Sequence, residues 1–352
     1  MTTVHVVVPD GIDDPARPSG GNAYDRQVCR GLAEIGWPVQ VHAVPGSWPR
    51  PDAAAYASLA DAVQRIPDGA VALLDGLVAS AAPEVLVPQA NRLRLVPLVH
   101  LPLGQGTADH ETRAREGAVL AAAASVVTTS AWSRRTLLEL YSLPGDRVHV
   151  AEPGVDAAAL SPRTATGGAL LCVAAVIPGK GHDVLLDALA AMTDLCWDCL
   201  CVGSLARDPA FAESLRRRVL EAGLGHRVRF AGPRVGADLD CSYLSADLLV
   251  LASRVETYGM VVTEALVRGL PVVAADVGGV AETLGHGTGR IRPGQLVPPD
   301  DPAALAAALT AWLGHAEVRL SWRRAARERR ASLSGWSTTT SVLAGVLAEA
   351  AR

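Results

Sequence analysis

The chain has 352 residues, a formal net charge of −4, 49% apolar residues and only 4% aromatic ones. That length accommodates two domains, each with its own core, and the composition calls for interiors of Ala, Val and Leu. A slightly acidic balance excludes a global attraction to nucleic acid. The start, Met1-Thr2-Thr3-Val4-His5, puts no basic segment ahead of a long apolar stretch, and no window approaches about 20 uninterrupted apolar residues. A cytoplasmic protein without a signal peptide or a membrane span is therefore expected.

Apolar runs in chain order predict strands near Val4–Pro9, Val39–Val44, Val71–Leu74, Leu95–His100, Val126–Thr129 and Val148–Ala151, then near Leu170–Ala175, Trp197–Val202, Val228–Ala231, Leu248–Leu251 and Pro271–Ala275. Helix-like stretches separate them, so the expected fold is α/β, with parallel sheets wrapped by helices. Asp156 to Gly168, rich in Ala, Thr, Pro and Gly, reads as a hinge. It predicts a first domain over 1–160 and a second over 166–335. Two doubly wound, Rossmann-like domains joined in this way would face each other across a cleft at the carboxyl ends of their strands.

Gly20 and Gly21 open a predicted helix from Asn22 to Ile35, where missing side chains let backbone approach a ligand. His100 ends an apolar strand and is either a structural histidine or a group aimed at a ligand. Lys180 sits in Pro178-Gly179-Lys180-Gly181, between a strand and a helix, a suitable place for a phosphate-binding cation. Cys196-Trp197-Asp198-Cys199-Leu200-Cys201 superficially offers a metal knuckle. The segment alternates like a strand and has no second ligand pair at zinc spacing, so buried free thiols are expected instead.

The run Leu248 to Ala252 leads into Arg254-Val255-Glu256-Thr257-Tyr258-Gly259-Met260-Val261-Val262-Thr263-Glu264. With a helix beginning at Met260, the Tyr258-Gly259-Met260 amides lie at a helix amino end, which attracts phosphate. Carboxylates repel phosphate, so Glu256 and Glu264 serve better as acceptors for hydroxyls on either side of a diphosphate. A nucleotide sugar has that layout. A second strand and Gly278-Gly279 follow.

Ser253 to Glu282 resembles the signature of the retaining nucleotide-sugar glycosyltransferases of the GT4 family, which have the GT-B fold and a Glu-x7-Glu motif. Pro178 to Asp183, Ser130-Ala131-Trp132-Ser133, Pro153-Gly154-Val155-Asp156 and Ser19-Gly20-Gly21-Asn22 resemble further segments of that family, in matching order. The resemblance implies that Glu256 binds the transferred sugar, Glu264 the ribose and Lys180 the diphosphate, with His100 beside the sugar. Catalytic roles then fall to Glu256, His100 and Lys180, and donor binding to Gly20, Gly21, Lys180, Glu256, Tyr258, Gly259, Met260 and Glu264. It further implies no cofactor and no required metal, the nucleoside diphosphate sugar, UDP-linked by preference, being a co-substrate. The family's arginine before the lysine is replaced by Ala175, leaving Arg234 as a possible substitute.

The expected partners are a nucleotide-sugar donor and a small soluble acceptor selected by loops such as Asp10–Ser19, Pro45–Ala53 and Pro102–Asp109. A lipid or polymer acceptor, or a donor-binding homologue without turnover, is the alternative. The arginine-rich stretch Arg319 to Arg330 leaves peripheral membrane contact open, but reads better as a surface helix with Trp322 and Ala326 turned inward. The last helix, about 336–352, with Val342, Leu343, Val346 and Leu347 spaced for docking, is expected to return to the first domain. A nicotinamide-dependent oxidoreductase would place Gly-x-Gly-x-x-Gly directly after a strand, and a P-loop NTPase would need Gly-x4-Gly-Lys-Ser/Thr. Neither pattern is met. A noncatalytic two-lobed sugar-binding protein fits less well because no export signal is evident.

Overall fold

A computed structural model describes residues 3–16, 18–106 and 109–352. Met1 and Thr2 of the start, with Arg17, Thr107 and Ala108 of two loops expected to select the acceptor, lie outside the described residues. The chain divides into two compact units, one of residues 1–13, 20–154 and 334–352, the other of residues 14–19 and 155–333.

The first unit contains a six-stranded sheet of β1 (Val4–Pro9), β2 (Val39–Val44), β3 (Val71–Asp75), β4 (Arg94–Val99), β5 (Val126–Thr128) and β6 (Val148–Val150). Their order is β2-β1-β3-β4-β5-β6, with every pairing parallel. The second contains β7 (Ala169–Val173), β8 (Asp198–Val202), β9 (Val228–Gly232), β10 (Leu248–Leu251), β11 (Val272–Ala275) and β12 (Gly294–Val297). Its order, β12-β11-β10-β7-β8-β9, is again all parallel. This is the α/β, doubly wound class that the sequence predicts.

Both faces of each sheet are buried. Val7 faces one core of the first sheet, while Val6 and Val8 face the other. In β10, Leu248 and Val250 face one core and Leu249 and Leu251 the opposite one. Successive side chains of a strand alternate between faces, so burial on both sides turns strands into unbroken apolar runs. β12 escapes sequence reading because Gly294-Gln295-Leu296-Val297 is short, carries an exposed Gln295 and lies between prolines.

The helix Trp336–Ala350 belongs to the first unit and packs against the helix Gly20–Glu34. The two approach so closely at Gly31 that a Cβ there would lie 2.2 Å from Thr340 Oγ1. Leu343, Val346 and Leu347 are buried, whereas Val342 points outward, a correction to the predicted docking face. Burying each such side chain fully contributes about 1.5–3 kcal/mol.

The segment after Gly154, read as a hinge from sequence, is tied to the second unit. Ser161 Oγ donates to the Leu244 and Ala246 carbonyls, and Thr164 donates through N and Oγ1 to buried Asp247. In the arginine-rich helix Ala316–Arg330, Trp322 stacks on buried Trp312 and Ala326 is fully buried. Arg319 and Arg329 donate to backbone carbonyls, and Arg323 to Asp247. Among the described residues, no helix is long and apolar enough to cross a membrane. All six cysteines are free. Cys172, Cys199 and Cys201 are buried, but Cys196 is exposed, correcting the expectation of buried thiols throughout that segment.

Candidate functional site

In an open parallel sheet, ligands bind at the carboxyl ends of the strands where the strand order reverses. In the second unit that point lies between β7 and β10. The chain leaves β7, makes a short 3-10 turn at Pro178–Lys180 and enters the helix His182–Ala190 through Gly181. Gly181 has a φ of 64°, and a Cβ on it would lie 1.9 Å from the Ala252 carbonyl oxygen just past β10. Only glycine lets the two loops touch in this way.

Arg254 laces the same loops together. Its backbone N–H donates to Gly179 O at 2.9 Å, its guanidinium forks onto Asp183 at 2.8 and 2.9 Å, and its Nε donates to Asp300 at 2.6 Å. Burial alone would raise the Asp183 carboxyl, but this bidentate partner outweighs it and holds the group below its ordinary value. Arg254 is thus already engaged in framing the loop. Arg234, the substitute the sequence suggests for the missing arginine, donates to Ser242 Oγ at 2.8 Å.

Within this frame, Lys180 Nζ lies 2.6 Å from Glu256 Oε1, which also accepts from the Ser253 hydroxyl at 2.9 Å. Ser253 is fully buried, and the side chains of Lys180 and Glu256 are 28% and 13% exposed, leaving the pair open to a ligand. The Glu256 backbone is held too. Its carbonyl oxygen would lie 1.6 Å from a Cβ on Gly278, where φ is 56°, and it accepts from Gly279 N at 3.3 Å. The double glycine therefore seats Glu256.

Gly259, with φ 82°, precedes the helix Met260–Val267, placing Tyr258, Gly259 and Met260 at its amino end. The first amides of a helix have no intrahelical acceptor and carry the positive end of its dipole. Glu264 projects from the second turn, and its Oε2 accepts from the hydroxyl of fully buried Tyr243 at 2.6 Å. Burial pushes the Glu264 carboxyl upward, partly offset by Tyr243 and Arg268. Arg268 lies over the Tyr243 ring at 4.7 Å and is ion-paired with Asp240. Among the described residues Glu264 shares no hydrogen bond with Lys180 or Glu256, so the two glutamates are separately supported.

In the first unit the order reverses between β1 and β3, and the other sequence-predicted residues gather near there. Gly20 and Gly21 are the first two residues of the helix Gly20–Glu34. A Cβ on Gly21 would lie 3.3 Å from His100 Cδ2, so the helix start abuts the imidazole. His100 Nε2 lies 2.9 Å from Asp25 Oδ1 and 3.7 Å from Asp75 Oδ2, and Tyr24 meets the ring edge-on at 5.2 Å. The loop beyond is fixed by fully buried Glu116, which accepts from Leu103 N, Gly104 N, Ser80 Oγ and Tyr141 OH.

Sequence reading missed Asp25, Asp75, Glu116, Tyr243, Ser253 and Arg254 as functional neighbours. Asp75 had a signal, as the acidic end of the run Val71 to Leu74. Arg254 had one as well, two residues before Glu256.

Two doubly wound, six-stranded parallel sheets are the architecture of the GT-B glycosyltransferases. A sequence profile described as glycosyl transferases group 1 matches residues 163–329. Over 291 residues the chain is 33% identical to D-inositol 3-phosphate glycosyltransferase 1 of Catenulispora acidiphila, covering 77% of this chain and 68% of that one. Over 282 residues it is 33% identical to the D-inositol 3-phosphate glycosyltransferase of Jonesia denitrificans, covering 71% and 65%. The chain belongs to the glycosyl transferases group 1 family, GT4, and spans about two thirds of the length of these curated relatives.

Solved structures share the fold. Sucrose-phosphate synthase from Thermosynechococcus elongatus superposes with a TM-score of 0.81 at 21% identity over 98% of each chain. Anabaena HepE in complex with UDP-glucose gives 0.79 at 18% identity, over 99% of this chain and all of that one.

Proposed function

We propose that this protein is a retaining glycosyltransferase that moves a sugar from a UDP-sugar to a small soluble acceptor, with the donor held by the second unit. The observation that carries the reading is the Lys180–Glu256 pair at the reversal point of the second sheet, beside the amino end of the helix Met260–Val267. Lys180 and the amides of that helix end supply positive charge to the diphosphate without calling on a divalent cation. Glu256 accepts hydroxyls of the transferred sugar. Glu264, with Oε2 taken by Tyr243, offers Oε1 to the ribose.

In the reaction, the bond between the sugar's anomeric carbon and the diphosphate oxygen breaks while the acceptor oxygen bonds to that carbon on the same face. The acceptor's proton passes to the leaving phosphate. Stabilising the charge that develops on that phosphate is the main rate effect, and Lys180 is placed to supply it. His100, in the first unit, hydrogen-bonds substrate oxygen. The UDP-glucose complex of a protein of the same fold supports the UDP assignment, and relatives named for D-inositol 3-phosphate support a small phosphorylated polyol as acceptor.

Thermal unfolding in chelator, with UDP, GDP, ADP or NAD, tests the reading. Ligand at about 100 times its dissociation constant adds roughly 2.7 kcal/mol. UDP should raise the midpoint by a few degrees and direct the choice of donor in a transfer assay. Stabilisation by NAD alone would sink the proposal.

A further inference from the structure

We propose that Asp25, backed by Asp75, is the positioning residue that presents His100 to substrate as a hydrogen-bond donor through Nδ1. This deepens the transferase reading, on which the assignment of His100 to substrate rests.

The geometry fixes one edge of the ring. Nε2 points to Asp25 Oδ1 at 2.9 Å, and Asp75 Oδ2 stands 3.7 Å away on the same side. Asp75 cannot swing aside, because its Oδ1 caps the next helix by accepting from Leu77 N at 2.8 Å and Val78 N at 3.3 Å. Tyr24 and Gly21 confine the ring from two further directions. Nε2 must therefore carry a proton toward Asp25. Nδ1, on the opposite side of the ring, has no hydrogen-bond partner among the described residues.

Charge decides the state of Nδ1. Asp25 and Asp75 are both nearly fully buried, and Asp25 Oδ2 is a buried oxygen without a hydrogen-bond donor among the described residues. Two such carboxylates side by side repel unless a proton or a cation lies between them. Burial and the Asp25 charge push the Asp75 carboxyl up to about 7. Burial works against an imidazolium, but the charge and hydrogen bond of Asp25, with the charge of Asp75, outweigh it and raise His100 above its ordinary value. The second imidazole proton then resides on Nδ1, which donates to a substrate oxygen and is closed to general-base work while it does so.

The other titratable groups around Asp25 do not alter this near neutrality. Tyr24 donates its hydroxyl to Ala151 O, and burial with the charges of Asp25 and Asp13 pushes the Cys29 thiol up to about 12.

The test is nitrogen-resolved NMR of the imidazole resonances of the full chain without substrate, His100 being assigned by its loss in His100→Gln. The parent should keep Nε2 protonated at every pH and gain its Nδ1 proton at a pH above the ordinary histidine range. Asp25→Asn keeps the shape and an acceptor oxygen, and should lower that midpoint by about one pH unit or more. The alkaline limb of the transfer rate should move with it, while UDP binding stays at the parental value. Asp75→Asn should produce a smaller shift of the same sign. A midpoint unmoved in Asp25→Asn, or a parent tautomer protonated on Nδ1 alone, overturns the proposal. So does selective broadening of this resonance by stoichiometric Mn2+, which would make Asp25, Asp75 and His100, whose ligand atoms all lie within 4.8 Å of one another, a cation site instead. Because the titration is read on the free protein, its failure is separable from failure of the transferase reading.

Discussion

The second unit places a lysine against a glutamate at the reversal point of its sheet, and the first unit gathers two carboxylates around one histidine near its own. Lys180 and Glu256 form a pair of opposite charges that remains partly open to solvent. Asp25, Asp75 and His100 form a nearly closed cluster with more negative groups than positive ones, which balances only by retaining a proton. Equivalent topological positions therefore serve different electrostatic tasks. One sets a cation beside a helix amino end, and the other sets two buried carboxylates against a single ring. Their backbone support differs as well, since left-handed glycines crowd the Glu256 loop while His100 is bordered by an ordinary helix start.

The largest expected effect tests that support. Gly278→Ala must place a Cβ 1.6 Å from Glu256 O at a φ of 56°, combining backbone strain with an overlap no rotamer relieves. A loss of about 3 kcal/mol or more in the unfolding free energy is expected, together with loss of UDP stabilisation. Parent-like unfolding would mean that Glu256 is not held by this loop. Next comes Lys180→Ala, which should leave overall stability nearly unchanged, because a partly exposed ion pair contributes little and Glu256 keeps the Ser253 hydroxyl. UDP binding measured calorimetrically should weaken by about 2–3 kcal/mol, the contribution of a charge-assisted hydrogen bond in a shielded site. An unchanged affinity would move the diphosphate away from β7 and β10.

The first unit should respond to pH through its buried carboxyl and imidazole. Folded Asp75, pushed up to about 7 by burial and by Asp25, binds its proton more tightly than the unfolded carboxyl, which titrates at about 4. Stability from that proton uptake is present at low pH and is lost as pH rises from about 4 to about 7. The raised value of His100 adds stability below about 6.5 that disappears as pH climbs past its folded value. Asp75→Asn keeps an oxygen to cap Leu77 and Val78 and removes the first contribution. Its unfolding free energy should fall less steeply than the parent's between pH 4 and pH 7, leaving the variant the more stable of the two at pH 8. Parallel curves would show that Asp75 titrates normally.

The sheets were legible in the sequence because each buries both faces, and eleven of the twelve strands among the described residues stand out as apolar runs. The twelfth lies at a sheet edge and is too short and too polar to show. In the site, residues with a local signature could be read. Lys180 lies in a glycine-flanked turn, and Glu256 and Glu264 flank a glycine at a helix start. Residues defined by a distant partner could not. Arg254 matters through Asp183, 71 positions away, and Asp25 through His100, 75 positions away. Such partners are joined by strand order, while several strands and helices separate them in sequence. Glu116 illustrates this best, since within its helix it looks like any solvated glutamate and in the fold it is fully buried, accepting four hydrogen bonds.

Gly21→Ala should have the smallest effect on stability and sharpens the contrast with Gly278 most. Gly21 lies in the first turn of a helix with no left-handed backbone to protect, and a methyl group there would meet His100 Cδ2 at 3.3 Å, a few tenths of an ångström too close. Alanine's helix preference, up to about 1 kcal/mol over glycine, offsets that crowding, so the unfolding free energy should stay within about 0.5 kcal/mol of the parent. The ring must still give way, and the direction open to it is away from the helix start, straining the 2.9 Å contact with Asp25. Transfer should therefore fall several-fold at unchanged stability, with the imidazole titration moving toward that of Asp25→Asn. A large loss of stability would instead make the first-unit cluster as rigidly framed as the Glu256 loop, and the distinction between a strained loop and an adjustable ring would fail.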